Sequence, residues 1–127
     1  MALSAPTLKK IRLELGGNAP FIVFDDADVD AAVEGTLVAK FRNNGQTCVC
    51  ANHILVQDGV HDAYVAKLKV AMTKLTVGNG LDAGTTLGPL IDQAALRKME
   101  EHISDAKAKG GRLELEGRAH ANGRYLL

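Results

Sequence analysis

The chain has 127 residues and a formal net charge of zero, with 15 basic and 15 acidic residues mixed along it. This length is typical of one domain with a modest core, and the charge balance excludes the basic surface of a nucleic-acid-binding or membrane-surface protein. No apolar run approaches the roughly 20 residues of a membrane span, and the first residues lack a secretory hydrophobic segment. Two cysteines in a C-x-C arrangement are not a disulfide framework, so we expect a cytoplasmic protein.

The first half of the sequence predicts two strands and a helix after an irregular lead-in over about 1–9. Apolar and charged residues alternate over 9–15, which predicts a half-buried strand. The apolar run 21–24 predicts a second, more buried strand. Apolar residues then recur every fourth position from Val29, after three aspartates that can cap a helix, and this pattern predicts a helix to about Arg42.

The second half continues the alternation. We predict a strand at 53–56, a helix with Tyr64, Val65, Leu68, Met72 and Leu75 on one face, a glycine-rich connection over 78–89, a helix capped by Asp92, a last strand at 113–115 and an irregular tail over about 117–127. In the helix after Asp92, the residues predicted to point inward are Leu96, Met99, Ile103 and Ala106.

Strands that alternate with helices of ten or more residues favour an α/β fold with a mainly parallel sheet and crossover helices. Such a sheet buries both faces, and three helices cover a sheet of this size incompletely. The chain also ends on an apolar stretch, residues 125–127, with no turn after it. We therefore expect the chain to be part of a larger structure.

Cys48 and Glu14 are the candidate catalytic residues. Cys48 lies in a polar, glycine-bearing turn between a predicted helix and a predicted strand, where a thiol can be exposed and reactive. Glu14 lies at the end of a predicted strand, directly before two glycines, and can project past the sheet edge. A cysteine can attack a carbonyl, and a carboxylate can activate the water that later releases the acyl group. From these residues alone, a solvated Glu14 and an unreactive Cys48 are the favoured interpretation.

Other kinds of site are not supported by the sequence. The four histidines have no spacing that places two of them on one face with a cysteine or an acid, which argues against a metal site. Gly78, Gly80 and Gly84 imitate a phosphate-binding loop, but no predicted strand leads into them. A connecting segment is the better interpretation of these glycines.

Two stretches resemble the active-site signatures of the aldehyde dehydrogenase superfamily: Leu13-Glu14-Leu15-Gly16-Gly17-Asn18-Ala19-Pro20 and Gly45-Gln46-Thr47-Cys48. Their separation agrees with that family as well, and the resemblance extends over nearly the whole chain, including Leu87-Gly88-Pro89-Leu90-Ile91. Within the superfamily, the stretch 41–52 is most similar to the succinate-semialdehyde dehydrogenases.

The resemblance implies roles for individual residues. Cys48 matches the nucleophile that adds to the aldehyde and, after hydride transfer to a nicotinamide, holds a thioester; its backbone N–H would contribute to the oxyanion site. Glu14 matches the general base that activates the deacylating water. Arg42 matches the arginine that binds the distal carboxylate of the substrate, and Cys50 matches a second cysteine that forms a reversible disulfide with Cys48 in some relatives. Arg42 as a surface ion-pair partner and Cys50 as a small buried residue are the alternatives.

The resemblance also sets an expectation for the whole chain. The family's dinucleotide-binding turn, its ribose-binding lysine and its oxyanion asparagine have no counterpart here. We therefore expect residues 1–127 to be a partial catalytic domain without a dinucleotide-binding domain. NAD or NADP would serve the complete enzyme, while this chain alone would bind neither and would be inactive. The expected partners are a small-molecule aldehyde and further copies of the chain, which would associate through sheet edges or apolar faces.

Two other hypotheses stay open. The chain can be a self-standing thiol redox or binding module that uses Cys48 and Cys50 as a pair. It can also be a structural domain that associates through uncovered apolar surfaces.

Overall fold

The computed structural model describes residues 2–115 and residue 117. It contains, in chain order, strand β1 (Ala19–Val23), helix α1 (Val29–Phe41), strand β2 (Ala51–Val56), helix α2 (Asp58–Met72) and helix α3 (Gln93–Ala108). Short 3-10 helices cover Ala2–Thr7, where the sequence predicted an irregular lead-in, and Arg42–Gly45. The predicted α/β class is confirmed, and so are the helix from Val29 and the strands at 21–24 and 53–56, each within a few residues.

β1 and β2 form a parallel pair connected through α1, with Phe21 opposite Ile54 and Val23 opposite Val56. These four residues belong to the side of the sheet that packs with the two helices. Side chains on successive strand positions point to opposite faces. Ile22 and its neighbour Leu55 accordingly lie on the other face, where more than half of each side chain is exposed. The pair therefore has one covered and one uncovered apolar face.

The core of this unit lies between the sheet, α1 and α2. Its buried hydrophobic residues are Val23, Val33 and Tyr64, at 2%, 7% and 2% exposure. Asp28 begins α1, because its carboxylate accepts the otherwise unpaired backbone N–H groups of Asp30 and Ala31 at 2.9 and 3.1 Å. The acidic cap that the sequence predicted thus starts the helix that packs over the strands.

The strand predicted over 9–15 is not formed. Residues 9–18 have no regular secondary structure, and the exposed fractions of Ile11, Leu13 and Leu15 are 43%, 60% and 81%. A strand needs a partner for its backbone groups, and within the described part of the chain β1 pairs with β2 alone. The strand predicted at 113–115 is likewise absent from these residues, and most of the predicted tail lies outside the described residues.

Helix α3 is present, but its predicted inward face is not buried. Asp92 caps it by accepting the N–H of Ala95 at 2.8 Å, and Gly110 follows it with a φ of +90°, as the predicted helix stop requires. Met99 and Ile103, however, are 38% and 42% exposed. Leu96 is partly buried and Ala106 is exposed. The reason is that α3 packs closely against none of the other described elements.

The glycine-rich connection between α2 and α3 is closed at its base by hydrogen bonds. The carbonyl oxygen of Thr76 accepts the backbone N–H groups of Thr86 and Leu87 at 2.9 and 3.0 Å, and Leu87 in turn accepts the N–H of Gly78 at 2.9 Å. The Leu87 side chain is buried, with 4% exposed. The connection is therefore an ordered loop with both ends joined.

In the described part of the chain, none of the helices combines the length and the apolar character that a bilayer span needs.

Candidate active site

Cys48 lies at the tip of a tight turn that leads into β2. The turn is closed by the backbone N–H of Cys50, which donates to the carbonyl oxygen of Thr47 at 3.1 Å. Cys48 and Val49 occupy its two central positions and are exposed, whereas only 1% of Cys50 is exposed. Both thiols are free. The turn therefore presents the Cys48 thiol to solvent and holds the Cys50 thiol inside.

The chain reaches this turn through three residues with left-handed backbone. After α1 ends, Asn43, Asn44 and Gly45 have φ values of 50°, 59° and 73°. This region suits glycine and is tolerated by asparagine better than by most residues. At Gly45 a Cβ atom would also lie 3.0 Å from the carbonyl oxygen of Lys40. A side chain at position 45 would therefore disturb the turn twice, through its φ and through this contact.

Polar neighbours surround the Cys50 thiol. The Thr47 hydroxyl is 2.7 Å from Sγ of Cys50, and Sγ is 3.6 Å from the carbonyl oxygen of Lys40. A consistent arrangement has the hydroxyl donating to sulfur and the thiol donating to the carbonyl. The hydrogen bond from Thr47 lowers the pKa of Cys50 most, burial opposes it, and the charges of Lys40 and Arg42 add to the lowering. Cys50 is therefore a buried thiol with polar neighbours, directly before β2.

Three of the four predicted site residues lie in residues 42–50, which we call the cysteine segment. The fourth, Glu14, lies outside it. Arg42 ends α1, and its charge acts on Cys50 two residues after Cys48. Glu14 is exposed in the irregular segment before β1, because the strand expected to carry it is not formed. Among the described residues, none of the hydrogen bonds or ion pairs joins Glu14 to Cys48.

The segments that carry Glu14 and Cys48 nevertheless enter the sheet at the same edge. Glu14 precedes β1 and Cys48 precedes β2, and the two strands run in parallel with Ala19 beside Ala51. The amide of Asn18 and the ring Nε2 of His53 are within hydrogen-bond distance, which joins the segment after Glu14 to β2. The segments that follow Glu14 and Cys48 therefore enter the sheet at the same end.

Two side chains that were not predicted from the sequence hold the cysteine segment in place. Lys40 Nζ donates to Oδ1 of Asn52 at 2.7 Å, and Asn44 Oδ1 accepts the backbone N–H of Gly88 at 2.8 Å. Consecutive asparagines directly before a glycine are a signal of left-handed turn residues that could have indicated Asn44. Its partner, 44 residues away in sequence, has no such local signal.

The start of α1 is a poor site for the pyrophosphate of a dinucleotide. In a nucleotide-binding βαβ unit, the free N–H groups of the first helix bind the pyrophosphate. Here Asp28 already occupies the N–H groups of Asp30 and Ala31, and the connection from β1 to α1 also carries Asp25 and Asp26. This carboxylate cluster would repel a pyrophosphate. In the same part of the chain, no group of three or more histidine, cysteine, aspartate or glutamate side chains is placed to hold a metal ion.

The sequence was compared with protein families and with individual known proteins. The sequence profile of the Aldehyde dehydrogenase family matches residues 1–126. Glutarate-semialdehyde dehydrogenase of Pseudomonas aeruginosa is 65% identical over 123 residues, which are 97% of this chain and 26% of that protein. Succinate-semialdehyde dehydrogenase [NADP(+)] of Escherichia coli is 61% identical over 123 residues, with the same two shares.

A solved structure of succinate-semialdehyde dehydrogenase from Burkholderia pseudomallei has the same fold, with a TM-score of 0.87 at 59% identity. The match covers 98% of this chain and 26% of that one. The chain therefore belongs to the aldehyde dehydrogenase family, as the two signature stretches predicted. It spans about a quarter of the length of the relatives it matches.

Proposed function

We propose that this chain carries the nucleophile and the general base of an enzyme that oxidises succinate semialdehyde to succinate, and that it forms a partial catalytic domain of that enzyme. The observation that supports the proposal best is the exposed Cys48 at the tip of the 47–50 turn, within residues 1–126 that match the family. The enzyme's NAD or NADP would bind outside the described residues, in accord with the acidic start of α1.

In this proposal Cys48 adds to the aldehyde carbonyl and forms a thiohemiacetal. An exposed position lets the carbonyl approach sulfur, and the backbone N–H of Cys48 can stabilise the developing oxyanion. The enzyme's nicotinamide cofactor, which would bind outside the described residues, would accept the hydride lost when this adduct becomes a thioester. Glu14 then activates the water that hydrolyses the thioester. Glu14 lies in the 9–18 segment, which has no regular secondary structure and leads into β1.

Arg42 is proposed to select the substrate. Its guanidinium belongs to the cysteine segment and can bind a carboxylate through two parallel hydrogen bonds. The two curated relatives described above are named for semialdehydes with a carboxylate at the far end, of different chain lengths. Succinate semialdehyde is therefore the proposed substrate, with glutarate semialdehyde as the second candidate because of the 65% identity.

A graft tests the proposal. The 123 matched residues of the Escherichia coli enzyme are replaced by this chain, and NADP reduction is measured with both semialdehydes. We expect turnover by the graft, loss of turnover in C48A, accumulation of the acylated enzyme in E14Q, and a higher KM in R42Q. Turnover that survives C48A would contradict the proposal.

The isolated chain is the matched control. We expect it to reduce neither NAD nor NADP with any aldehyde, because the acidic start of α1 does not suit a dinucleotide. Measurable turnover by the purified chain would contradict the assignment of a partial catalytic domain.

The lowered pKa of Cys50 favours one alternative, a thiol redox module that uses Cys48 and Cys50. In that case the pair would oxidise reversibly in the isolated chain. Mass spectrometry after treatment with oxidised glutathione tests whether the pair forms an internal disulfide. Turnover of the graft separates the two functions, since a redox module would not restore NADP reduction.

A further inference from the structure

We propose that Asn44 is a positioning residue that fastens the turn carrying Cys48 to the glycine-rich connection between α2 and α3. The backbone N–H of Gly88 donates to Oδ1 of Asn44 at 2.8 Å. Both residues are partly buried. The inference rests on the proposed function insofar as Cys48 is the nucleophile whose turn is positioned.

Asn44 suits this role by its backbone as well as its side chain. Its φ of 59° and ψ of 27° lie in the left-handed region, which asparagine adopts more readily than other residues with a Cβ. Asn43 is in the same region, but its Nδ2 donates to the nearby carbonyl oxygen of Gln46, inside the cysteine segment. Asn44 is therefore the member of this pair whose side chain leaves the segment.

The other side of the link is firmly held. The hydroxyl of Thr86 accepts the backbone N–H of Thr76 at 2.8 Å, and its backbone N–H donates to the carbonyl oxygen of Thr76 at 2.9 Å. Leu87, the residue before Gly88, is buried. Because the base of the loop is closed and anchored, the N–H of Gly88 is a fixed donor for the cysteine segment.

The two residues also fit each other sterically. A Cβ atom at position 88 would lie 3.1 Å from Nδ2 of Asn44, which is closer than ordinary van der Waals contact. Gly88 therefore lets the Asn44 amide approach its backbone. A larger residue there would push the amide away from the N–H that it accepts.

Amide exchange of the full chain, followed residue by residue by NMR, tests the link. N44G keeps the left-handed backbone and removes the acceptor, whereas N44D keeps both. We expect N44G to speed exchange of the Gly88 amide roughly three- to tenfold, as for the loss of one hydrogen bond. The amides of Gln46 and Cys50, which close the turns around Cys48, should exchange faster by a similar factor. N44D should stay within about twofold of the wild-type chain.

The matched control is N79G, which removes an asparagine acceptor inside the same connection. Oδ1 of Asn79 accepts the N–H of Leu81 at 3.1 Å and does not reach the cysteine segment. We expect N79G to leave the amides of Gln46, Cys50 and Gly88 unchanged. The proposal is overturned if N44G leaves Gly88 protected, if Gln46 and Cys50 do not follow Gly88, or if N44D behaves like N44G.

A chemical measurement gives a second readout. In the wild-type chain, iodoacetamide should alkylate the exposed Cys48 and spare the buried Cys50. N44G should raise the alkylation rate of Cys50 severalfold, because the turn that shields it is released, and an unchanged rate counts against the link. Failure of the proposed function would appear separately, as a graft without turnover, and would leave these exchange and alkylation results intact.

Discussion

The hydroxyl of Tyr64 lies 2.7 Å from Oγ1 of Thr36 in the interface between α2 and α1. Thr36 uses its own proton to donate to the carbonyl oxygen of Ala32 at 2.9 Å, so Tyr64 is the donor in the pair. Both side chains are almost completely buried, at 2% and 1% exposure. Two hydrogen bonds thus connect the tyrosine hydroxyl, the threonine hydroxyl and a backbone carbonyl oxygen across an otherwise apolar core. Each of the two hydroxyl groups has a hydrogen-bond partner.

Replacing Tyr64 by phenylalanine should lower the free energy of unfolding by about 1 kcal/mol, because one net hydrogen bond is lost while Thr36 keeps its backbone acceptor. T36V should cost more, roughly 1–3 kcal/mol, because it leaves the tyrosine hydroxyl buried without a partner. Urea unfolding measures both. T73V is the control, since the Thr73 hydroxyl bonds the Val70 carbonyl at an exposed position. A smaller loss in T36V than in Y64F would contradict the assigned direction of the bond.

T47V should raise the pKa of Cys50, because the Thr47 hydroxyl is the main cause of its lowering. In the wild-type chain the folded state releases the thiol proton at lower pH than the unfolded state, so stability rises with pH between the lowered pKa and the ordinary value near 9. The contribution of Cys50 to the free energy of unfolding is constant above that value and is lost as pH falls through the lowered pKa. T47V should reduce this rise in the free energy of unfolding with pH.

The titration is best followed at Cys50 alone, in a C48S background, by the chemical shift of its Cβ carbon. T47S keeps the hydroxyl and is the control, with a pKa near that of the C48S parent. Equal pKa values in T47V and T47S would show that Thr47 is not the cause.

Replacing Gly45 by alanine should destabilise the chain by about 1–2 kcal/mol. The φ of 73° is unfavourable for a residue with a Cβ, and that atom would meet the Lys40 carbonyl. G80A is the matched control, because a Cβ atom at position 80 would have no atom within 4 Å and its φ is not in the left-handed range. Unfolding midpoints in urea compare the two. A loss in G80A as large as that in G45A would refute the local cause.

The apolar face of α3 should cause self-association of the isolated chain. Met99 and Ile103 are exposed on it, and burying them between copies gains roughly 25 cal/mol per Å² of apolar surface. I103K should therefore lower the mean mass measured by light scattering at high concentration. L81K, which changes a 93% exposed residue in the glycine-rich connection, is the control. A wild-type chain that is monomeric at every concentration would contradict this prediction.

Local patterns were sufficient to predict the central part of the fold. The aspartates before Val29, the four-residue spacing to Phe41 and the apolar runs of β1 and β2 all describe elements that pack together within this chain. The predictions failed where an apolar pattern lacks a partner. Residues 9–15 alternate as a strand does, and α3 has the apolar spacing of a helix. In the described part of the chain, however, no neighbouring strand pairs with 9–15 and no sheet packs closely against α3.

The candidate site was predicted by its sequence signatures rather than by its contacts. Cys48 was expected in an exposed turn, and the structure confirms that position. The contacts of Thr47 with Cys50 and of Asn44 with Gly88 were not predicted. The first depends on the conformation of a turn, and the second joins residues far apart in sequence, so neither follows from residue spacing.

The parallel pairing of β1 with β2 has a consequence for how the chain folds. An antiparallel hairpin can form outward from a tight turn, but parallel strands need a crossover between them. Here that crossover is α1, which contacts β2 and whose Val33 shares the core with Val23 of β1. The register between Phe21 and Ile54 therefore has to form together with the docking of the helix, as one non-local step. We expect this step to limit the folding rate, as contacts between distant residues generally do.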